Sequence, residues 1–345
     1  MKYKYKYLFN FSVSKTTGGL KRLFHFAKWF HQNGGAYFII HPECDFLLKK
    51  FPNNRYFVIY QNSLRRIFND YKYLSLIKKE ITQFDLYYSY AIPVYYHFGK
   101  INWFHVSNIL PLSSRPWNLK LSLFDRFLRL NLLGFKIKKN FQNADIVSAE
   151  SKNSLKIIKN QNIKEFFLSI NGSDDELNYL EKKLKVAKEN IAIIIGTQNY
   201  KAILESFFVF EYLKKQNKLL KLIIIGNSKN IPKKIINNNS VTLMNTIKHN
   251  EVIEFLQKSK YYISTTKIEN SFNAASEGII FCNESYISDI PPHRELLENE
   301  TYEIVSIPKL SHKMIKTKKN DIKGKNLITW DNVIKNILKK VESYK

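Results

Sequence analysis

Short apolar runs recur along the 345-residue chain, and patterns typical of helices separate them. Strands that alternate with helices form parallel sheets covered by helices. Leu20–Asn33 and Ser63–Lys79 have the clearest helical spacing in the first half. The runs predicted there as strands are Tyr7–Val13, Ala36–His41, Arg55–Tyr60, Asp85–Ala91, Asn102–Val106, Asp145–Ala149 and Phe166–Ile170. The first half is therefore expected to be an α/β domain.

The alternation starts again in the second half. Helices are expected over Lys201–Gln216 and Asn250–Ser259, and the strands predicted between and after them are Ile191–Ile195, Leu222–Ile225 and Tyr261–Thr265. The Lys- and Asn-rich stretches 226–240 and 313–326 are expected to be solvated loops. Each strand ends in small or polar residues, where open α/β sheets bind ligands.

A turn signal, Asn171-Gly172-Ser173-Asp174-Asp175, lies between the two series of elements. It predicts a first domain over 1–172 and a second over 173–326. The amphipathic stretch Ile328–Val341, within the tail 327–345, predicts a C-terminal helix.

The chain is strongly basic, with 55 Lys and Arg against 29 Asp and Glu and a net charge of +26. Three explanations remain open. Nucleic acid attracts such a chain, an anionic membrane surface attracts it at roughly 1 kcal/mol per basic residue held near it, and AT-rich codons enrich Lys and Asn. Codon composition alone does not explain why acidic residues are so few.

Cysteine usage and hydropathy indicate the compartment. Cys44 and Cys282 belong to no CxxC pair, which fits a reducing cytosol and disfavours zinc and disulfide frameworks. The uncharged span Leu86–Gly99 has 14 residues, fewer than the ~20 that cross a bilayer. The basic N-terminus lacks the apolar region of a signal peptide. We expect a cytoplasmic protein, soluble or peripheral on the inner face of the membrane.

Two carboxylates, Glu269 and Glu277, follow the last strand predicted in the second half, and a turn sequence, Ser288–Glu295, comes after them. Ionised carboxylates are pure hydrogen-bond acceptors, which suits sugar hydroxyls. In this order, residues 261–298 resemble the donor site of retaining, nucleotide-sugar-dependent glycosyltransferases of family 4. The loop departs from the common form E-G-F-G-x-P-x-x-E at Asn270, Ser271, Asn273 and Ala274.

The resemblance implies the GT-B architecture, two Rossmann-like domains with a cleft between them and a C-terminal helix that crosses back to the first. It implies that Glu269 binds the donor sugar and Glu277 the ribose. Amides of Phe272, Asn273 and Ala274, at a helix start, are expected to point at the diphosphate. His293 and Arg294, in the turn after this helix, are expected to be mainly architectural.

Other family positions are matched more loosely. Gly18 and Gly19 follow the first strand, where the family loop covers the donor phosphate. Gly196, Thr197 and Lys201 stand where the family has G-R-x-x-x-x-K, so the diphosphate is expected to have one cationic clamp, Lys201. Asn227 lies in a turn expected beside the base and ribose. His105, at a strand end, is expected near the anomeric carbon, and a packed histidine is the alternative.

The implied activity is retaining, metal-independent sugar transfer without a cofactor. The partners are a nucleotide-diphosphate sugar and a glycan acceptor, expected to be lipid-linked, as in O-antigen, lipopolysaccharide or capsule biosynthesis. Trp117–Phe141 has the spacing of a basic amphipathic helix, which fits either an anionic membrane surface or the core. The alternatives are a nucleic-acid-binding protein, which the scattered basic residues disfavour, and an inverting transferase or sugar-nucleotide epimerase of the same fold.

Overall fold

The computed structural model describes residues 6–15, 17–60, 77, 84–95, 97–113, 130–159, 162–182 and 186–344. The chain divides into two compact units. The first comprises 1–172 together with 329–345, and the second comprises 173–328. Each unit contains one sheet of seven strands.

The sheet of the first unit is parallel throughout and has the order β3-β2-β1-β4-β5-β6-β7. Its strands are Tyr7–Phe11 (β1), Tyr37–Ile40 (β2), Arg55–Val58 (β3), Phe84–Tyr90 (β4), Gly99–Val106 (β5), Ile146–Ala149 (β6) and Glu165–Leu168 (β7). The helices described before the second unit are Thr17–Gln32 (α1), Phe46–Lys50 (α2), Leu133–Asn140 (α3) and Lys152–Ile158 (α4).

The sheet of the second unit has the order β10-β9-β8-β11-β12-β14-β13, and β14 is antiparallel to both of its neighbours. Its strands are Glu189–Ile195 (β8), Lys221–Ile225 (β9), Val241–Met244 (β10), Ser259–Ser264 (β11), Glu284–Ser288 (β12), Glu303–Val305 (β13) and Met314–Lys318 (β14). Its helices are Asp174–Lys182 (α5), Ile203–Gln216 (α6), Lys233–Ile236 (α7), His249–Lys258 (α8), Asn273–Phe281 (α9) and Pro291–Leu296 (α10).

The predicted fold class, α/β with two Rossmann-like sheets, is confirmed. The apolar runs form strands because neighbouring parallel strands are buried on both faces by helices. In the second unit Ile194 of β8 and Ile224 of β9 pack with Phe210 and Leu213 of α6 in one core. Burying side chains of this size contributes about 1.5–3 kcal/mol each.

The C-terminal helix, Trp330–Ser343 (α11), belongs to the first unit and packs against α1. The Trp330 ring stacks on His25 at 5.0 Å, and the Arg22 guanidinium lies 5.7 Å from the Trp330 ring centre. Trp29 Nε1 donates to Asp331 Oδ1 at 2.9 Å. Arg22, His25 and Trp29 share one face of α1 because they are spaced three and four residues apart.

Gly172 is required where the chain leaves the first unit. A Cβ atom at Gly172 would lie 2.5 Å from Trp330 Cγ and 2.6 Å from the Trp330 backbone nitrogen. Arg22 is fully buried and donates from Nη1 to Asn171 Oδ1 at 3.0 Å. The residue before Gly172 and the start of α11 are therefore both held by α1.

Several local predictions differ from the structure or lie outside its described part. The expected solvated loop at 313–326 is wrong, because Met314–Lys318 is a strand with Met314, Ile315 and Thr317 buried. The predicted turn at Asn171–Asp175 ends where α5 begins, at Asp174. The helix predicted over Ser63–Lys79 lies outside the described residues apart from Ile77.

The basic amphipathic stretch Trp117–Phe141 is described only from Leu130 onward. Within it, α3 buries Leu133 and Ile137 and exposes Phe135, Lys138 and Lys139. Among the helices in the described part of the chain, none is both long and apolar enough to span a membrane.

Candidate functional site

The predicted site residues of the second unit gather at one edge of its sheet. Gly196 and Thr197 follow β8, Asn227 follows β9 by two residues, and Glu269 follows β11 by five. These three strands are neighbours in the order β9-β8-β11 and run parallel. Their carboxyl ends therefore meet at the edge where open α/β sheets bind ligands.

Lys201 and Glu269 form an ion pair across this edge, with Lys201 Nζ donating to Glu269 Oε1. The Lys201 side chain is 12 % exposed and that of Glu269 is 19 % exposed. Burial lowers the pKa of Lys201, but attraction by Glu269, with Tyr262 and Tyr200 nearby, outweighs burial and raises that pKa overall. Lys201 is therefore a fixed positive charge at this edge of the sheet.

Two further contacts hold the loop after β8 against the loop after β11. Lys267 N donates to Tyr200 O at 2.9 Å, and Thr265 Oγ1 donates to Ala202 O at 2.9 Å. Lys201 and Glu269 are thereby held by backbone contacts as well as by their own charges.

Thr197 connects the loops after β8 and β9, since its Oγ1 donates to Asn227 O at 2.7 Å. Gly226 lies between β9 and Asn227 with φ +147°, and a Cβ atom there would come 2.8 Å from Thr197 Cγ2. Glycine is required here by both backbone conformation and space. Thr197 is 3 % exposed and its hydroxyl is engaged, so its role in this structure is to join the two loops.

The predicted diphosphate-binding amides lie at the start of α9. Phe272 caps the helix with a buried side chain, and Asn273 and Ala274 are its first two residues. The first backbone N–H groups of a helix have no partner within the helix, so they attract anions. Ser276 Oγ donates to Glu176 Oε1 at 2.8 Å, which ties α9 to α5.

Glu277 lies on α9 with a side chain 9 % exposed, 3.1 Å from His249 Nε2 through its Oε1. The same nitrogen lies 3.8 Å from Asp175 Oδ2 on α5. Neither His249 nor Asp175 was predicted as a site residue. His249 begins α8, far in sequence from the motif that holds the carboxylates, so linear spacing gave no signal for this contact.

Tyr262 on β11 lies among the charged residues of this edge. Its buried ring packs on Gly278, where a Cβ atom would come 2.2 Å from two ring carbons. Burial raises the pKa of Tyr262, and Lys201, Glu269 and Glu277 all act on it electrostatically. A glycine inside α9, directly after Glu277, was the sequence signal for this close approach.

The turn after β12 has the architectural arrangement predicted for it. His293 is buried and its Nδ1 donates to Ser288 O at 2.7 Å. Burial lowers the pKa of His293, so the ring is held in its neutral form. Arg294 pairs with Asp289 through two hydrogen bonds of 2.5 and 2.7 Å. Ser288 Oγ donates to Thr266 O at 2.6 Å and so fixes the turn to the chain that follows β11.

Gly18, Gly19 and His105 lie in the first unit. Gly18 and Gly19 occupy the first turn of α1, the helix that follows β1. A Cβ atom at Gly19 would lie 3.1 Å from Ser14 Oγ and 3.2 Å from Tyr90 Cε1, so a side chain there displaces one of them. The expected approach of this turn to the donor phosphate stays a prediction.

His105 lies on β5 and is fully buried. Its Nδ1 is 2.8 Å from Ser148 Oγ and its Nε2 is 3.2 Å from Glu150 Oε1. A carboxylate only accepts, so Nε2 carries the ring proton and donates to Glu150. In the neutral ring Nδ1 then accepts from the Ser148 hydroxyl, whose oxygen itself accepts from Trp103 Nε1 at 2.7 Å. Both ring nitrogens are occupied in this structure, as expected of a packed histidine, and the catalytic role of His105 stays a prediction.

Neither a known protein family nor a curated protein sequence matches this chain. Solved structures do match. Anabaena Alr3699/HepE, crystallised with UDP and glucose, superposes with a TM-score of 0.63 at 13 % identity, over 99 % of this chain and 100 % of that one. Sucrose-phosphate synthase from Thermosynechococcus elongatus has a TM-score of 0.67 at 11 % identity, over 98 % and 91 %.

The chain has the GT-B fold. A glycosyltransferase from Rickettsia africae also matches, with a TM-score of 0.56 at 14 % identity over 86 % of this chain and 82 % of that one. At these identities the similarity shows the fold alone. Assignment of a reaction depends on the site residues of this chain.

Burial of His105 predicts how stability changes with pH. Burial, followed by the charge of Arg22, lowers the pKa of His105 from 6.5 to about 4. Between these values the unfolded chain binds a proton that the folded chain does not, so the free energy of unfolding falls as pH falls from 6.5 to 4. The loss from this one group is at most about 3 kcal/mol.

The measurement is urea unfolding of wild type and His105→Gln between pH 4 and 7. Gln stays neutral, so the variant is expected to lose stability less steeply than wild type as pH falls. Parallel slopes for the two proteins would contradict the buried, neutral state of His105.

Proposed function

We propose that the chain is a retaining glycosyltransferase that moves a sugar from a nucleotide-diphosphate sugar to a glycan. The observation that carries the proposal is the ion pair between Lys201 and Glu269 at the carboxyl edge of β8 and β11. Lys201 carries a positive charge that can bind phosphate, and the carboxylate of Glu269 can accept hydrogen bonds from sugar hydroxyls. The GT-B fold and the resemblance of residues 261–298 to family 4 donor sites support the proposal.

Lys201 and Glu269 have complementary roles toward the donor. Lys201 binds the diphosphate and offsets the negative charge that grows on it as the glycosidic bond breaks. Glu269 accepts hydrogen bonds from the sugar hydroxyls, which its ionised carboxylate does more strongly than a neutral group would. Because the pair is formed before the donor arrives, both side chains are already oriented.

Glu277 and the start of α9 bind the nucleotide. Glu277 accepts hydrogen bonds from the ribose hydroxyls, and amides at Asn273 and Ala274 point at the diphosphate. Asn227 and Gly226 form the turn beside the ribose and base. The donor is thus assigned to the second unit and the acceptor to the first.

The reaction exchanges one bond at the anomeric carbon for another on the same face of the sugar. The bond from the anomeric carbon to the diphosphate oxygen breaks, and its electron pair stays on the leaving diphosphate. An acceptor hydroxyl oxygen forms the new bond, and its proton passes to the leaving phosphate oxygen. Lys201 supplies positive charge next to that phosphate, so the proposed reaction is metal-independent.

The acceptor is proposed to be a lipid-linked glycan of surface-polysaccharide biosynthesis, reached at the inner face of the membrane. The first unit has 31 basic and 11 acidic residues, a net charge of +20, and the second has 24 and 18, a net charge of +6. Most of the excess positive charge is therefore on the unit assigned to the acceptor. On its helix α3, exposed Phe135 lies beside Lys138 and Lys139. An exposed aromatic ring next to lysines is typical of helices that bind anionic membrane surfaces.

Glu277→Gln and Glu269→Gln are expected to separate binding from turnover. Glu277→Gln should weaken binding of nucleoside diphosphates by about tenfold, since a hydrogen bond to a charged group contributes about 1.5–3 kcal/mol. Glu269→Gln should leave nucleotide affinity near that of wild type and lower the rate of sugar release from the donor. Calorimetry and a coupled assay of nucleotide release measure the two effects.

Glu254→Gln is the matched control, because Glu254 is an exposed carboxylate on α8. It should behave as wild type in both assays. Unchanged activity of both Glu269→Gln and Glu277→Gln would show that the site is assigned to the wrong residues.

Membrane binding is tested by cosedimentation with vesicles. We expect the chain to bind phosphatidylglycerol vesicles at low salt and to dissociate from them at high salt. It should not bind phosphatidylcholine vesicles. Replacing Lys138 and Lys139 together by Glu should weaken binding by about tenfold or more, since each lysine near the surface contributes about 1 kcal/mol. The same change at Lys229 and Lys233, exposed residues of the second unit, controls for net charge. Equal losses in both double variants would contradict the assignment to α3.

A further inference from the structure

His249 is a residue at this edge to which the proposed function gives no role. It begins α8, its side chain is 40 % exposed, and its Nε2 lies 3.1 Å from Glu277 Oε1 and 3.8 Å from Asp175 Oδ2. The ring is therefore open to solvent on one side and faces two carboxylates on the other. One of those carboxylates is the proposed ligand of the ribose.

The surroundings of His249 are mostly acidic. Helices α5 and α8 both pack against α9. Strands β8 and β11 also pack against α8, but Glu189 and Lys260 are at their amino ends, next to the far end of α8. Glu277 and Asp175 contact His249. The other titratable or charged groups to consider on the elements around it are Asp174 and Glu176 at the start of α5, Tyr262 on β11, and Lys248 and Glu251 at the start of α8.

We propose that His249 is a positioning residue for the nucleotide, and that donor affinity depends on its protonation. The imidazole holds Oε1 of Glu277 and thereby fixes the carboxylate for the ribose hydroxyls. When protonated, it also offsets the charge of Glu277 and Asp175, which otherwise repels the diphosphate. This inference deepens the proposed function and rests on it.

The chemistry of a carboxylate allows His249 and a ribose to bind Glu277 together. A carboxylate has about four acceptor positions, and one N–H bond from Nε2 occupies one of them. Protonation turns that bond into a charge-assisted one, which is about twice as strong. Neutral imidazole keeps the bond only in the tautomer with hydrogen on Nε2. Nucleotide affinity is therefore expected to fall as pH rises through the titration of His249.

The test is the dissociation constant of UDP between pH 5.5 and 8 for wild type, His249→Ala and His249→Gln. His249→Ala should weaken binding about tenfold at pH 5.5, the loss of one hydrogen bond to a charged group. In His249→Gln the side-chain amide replaces Nε2–H at every pH, so affinity should return toward that of wild type. The phosphate of UDP titrates near pH 6 as well, so the variants are compared with wild type at each pH.

Two further measurements separate positioning from folding. His249→Ala should raise KM for the donor with little change in kcat, and thermal unfolding without nucleotide should match that of wild type. His312→Gln is the control, because His312 also lies near a carboxylate, Glu205, at 3.7 Å in the same unit. If His249→Ala fails to fold, the test rests on His249→Gln alone. The inference then predicts that UDP affinity depends less on pH in His249→Gln than in wild type.

The inference is overturned if His249→Ala binds UDP as tightly as wild type, or if His249→Gln keeps the full pH dependence of wild type. Failure of the proposed function gives a different result. In that case wild type binds none of UDP, GDP, ADP, CDP and dTDP at any pH.

Discussion

The partly buried ion pair between Lys201 and Glu269 ties together the two loops on which the candidate site depends. Removing one partner of a fully buried pair leaves an uncompensated charge, which costs about 3–5 kcal/mol, and a smaller cost of the same kind applies here. The two charges compensate each other only while the loop after β8, which carries Lys201, stays in contact with the loop after β11, which carries Glu269. Backbone hydrogen bonds between the same loops, such as that from Lys267 N to Tyr200 O, enforce this contact. A donor that binds with its phosphate at Lys201 and its sugar at Glu269 meets partners that are already oriented.

The fold could be predicted because buried parallel strands are continuous apolar runs. β8, β9 and β11 were found within one or two residues of their bounds for this reason. Strand β14 was missed because it is antiparallel, and Lys316 and Lys318 alternate with buried residues. In a stretch rich in lysine, that alternation was indistinguishable from a solvated loop. The start of α5 at Asp174 was missed for a similar reason, since acidic residues favour both turns and helix N-termini.

The site was predicted most fully where its residues follow one another in sequence. Glu269, Glu277 and the start of α9 share one segment, so the motif located them together. The contact of His249 with this segment is set by packing of α8 on α9, and nothing in the motif specifies it. His105 shows the converse. Its strand-end position left a functional residue and a packed histidine both open, and only the structure shows its hydrogen bond to Ser148 of β6 and its stacking on Tyr90.

The most direct test of the account is thermal unfolding of the full chain with UDP, GDP, ADP, CDP and dTDP, each at a saturating concentration. A ligand at about 100 times its dissociation constant stabilises the folded state by about 2.7 kcal/mol. For a unit of 156 residues, this corresponds to a rise in Tm of roughly 5–10 °C. We predict such a rise with one of these nucleotides, and its loss in Glu277→Gln. No rise with any of them, together with tight, salt-sensitive binding to duplex DNA or RNA, would contradict the account and favour a nucleic-acid-binding protein.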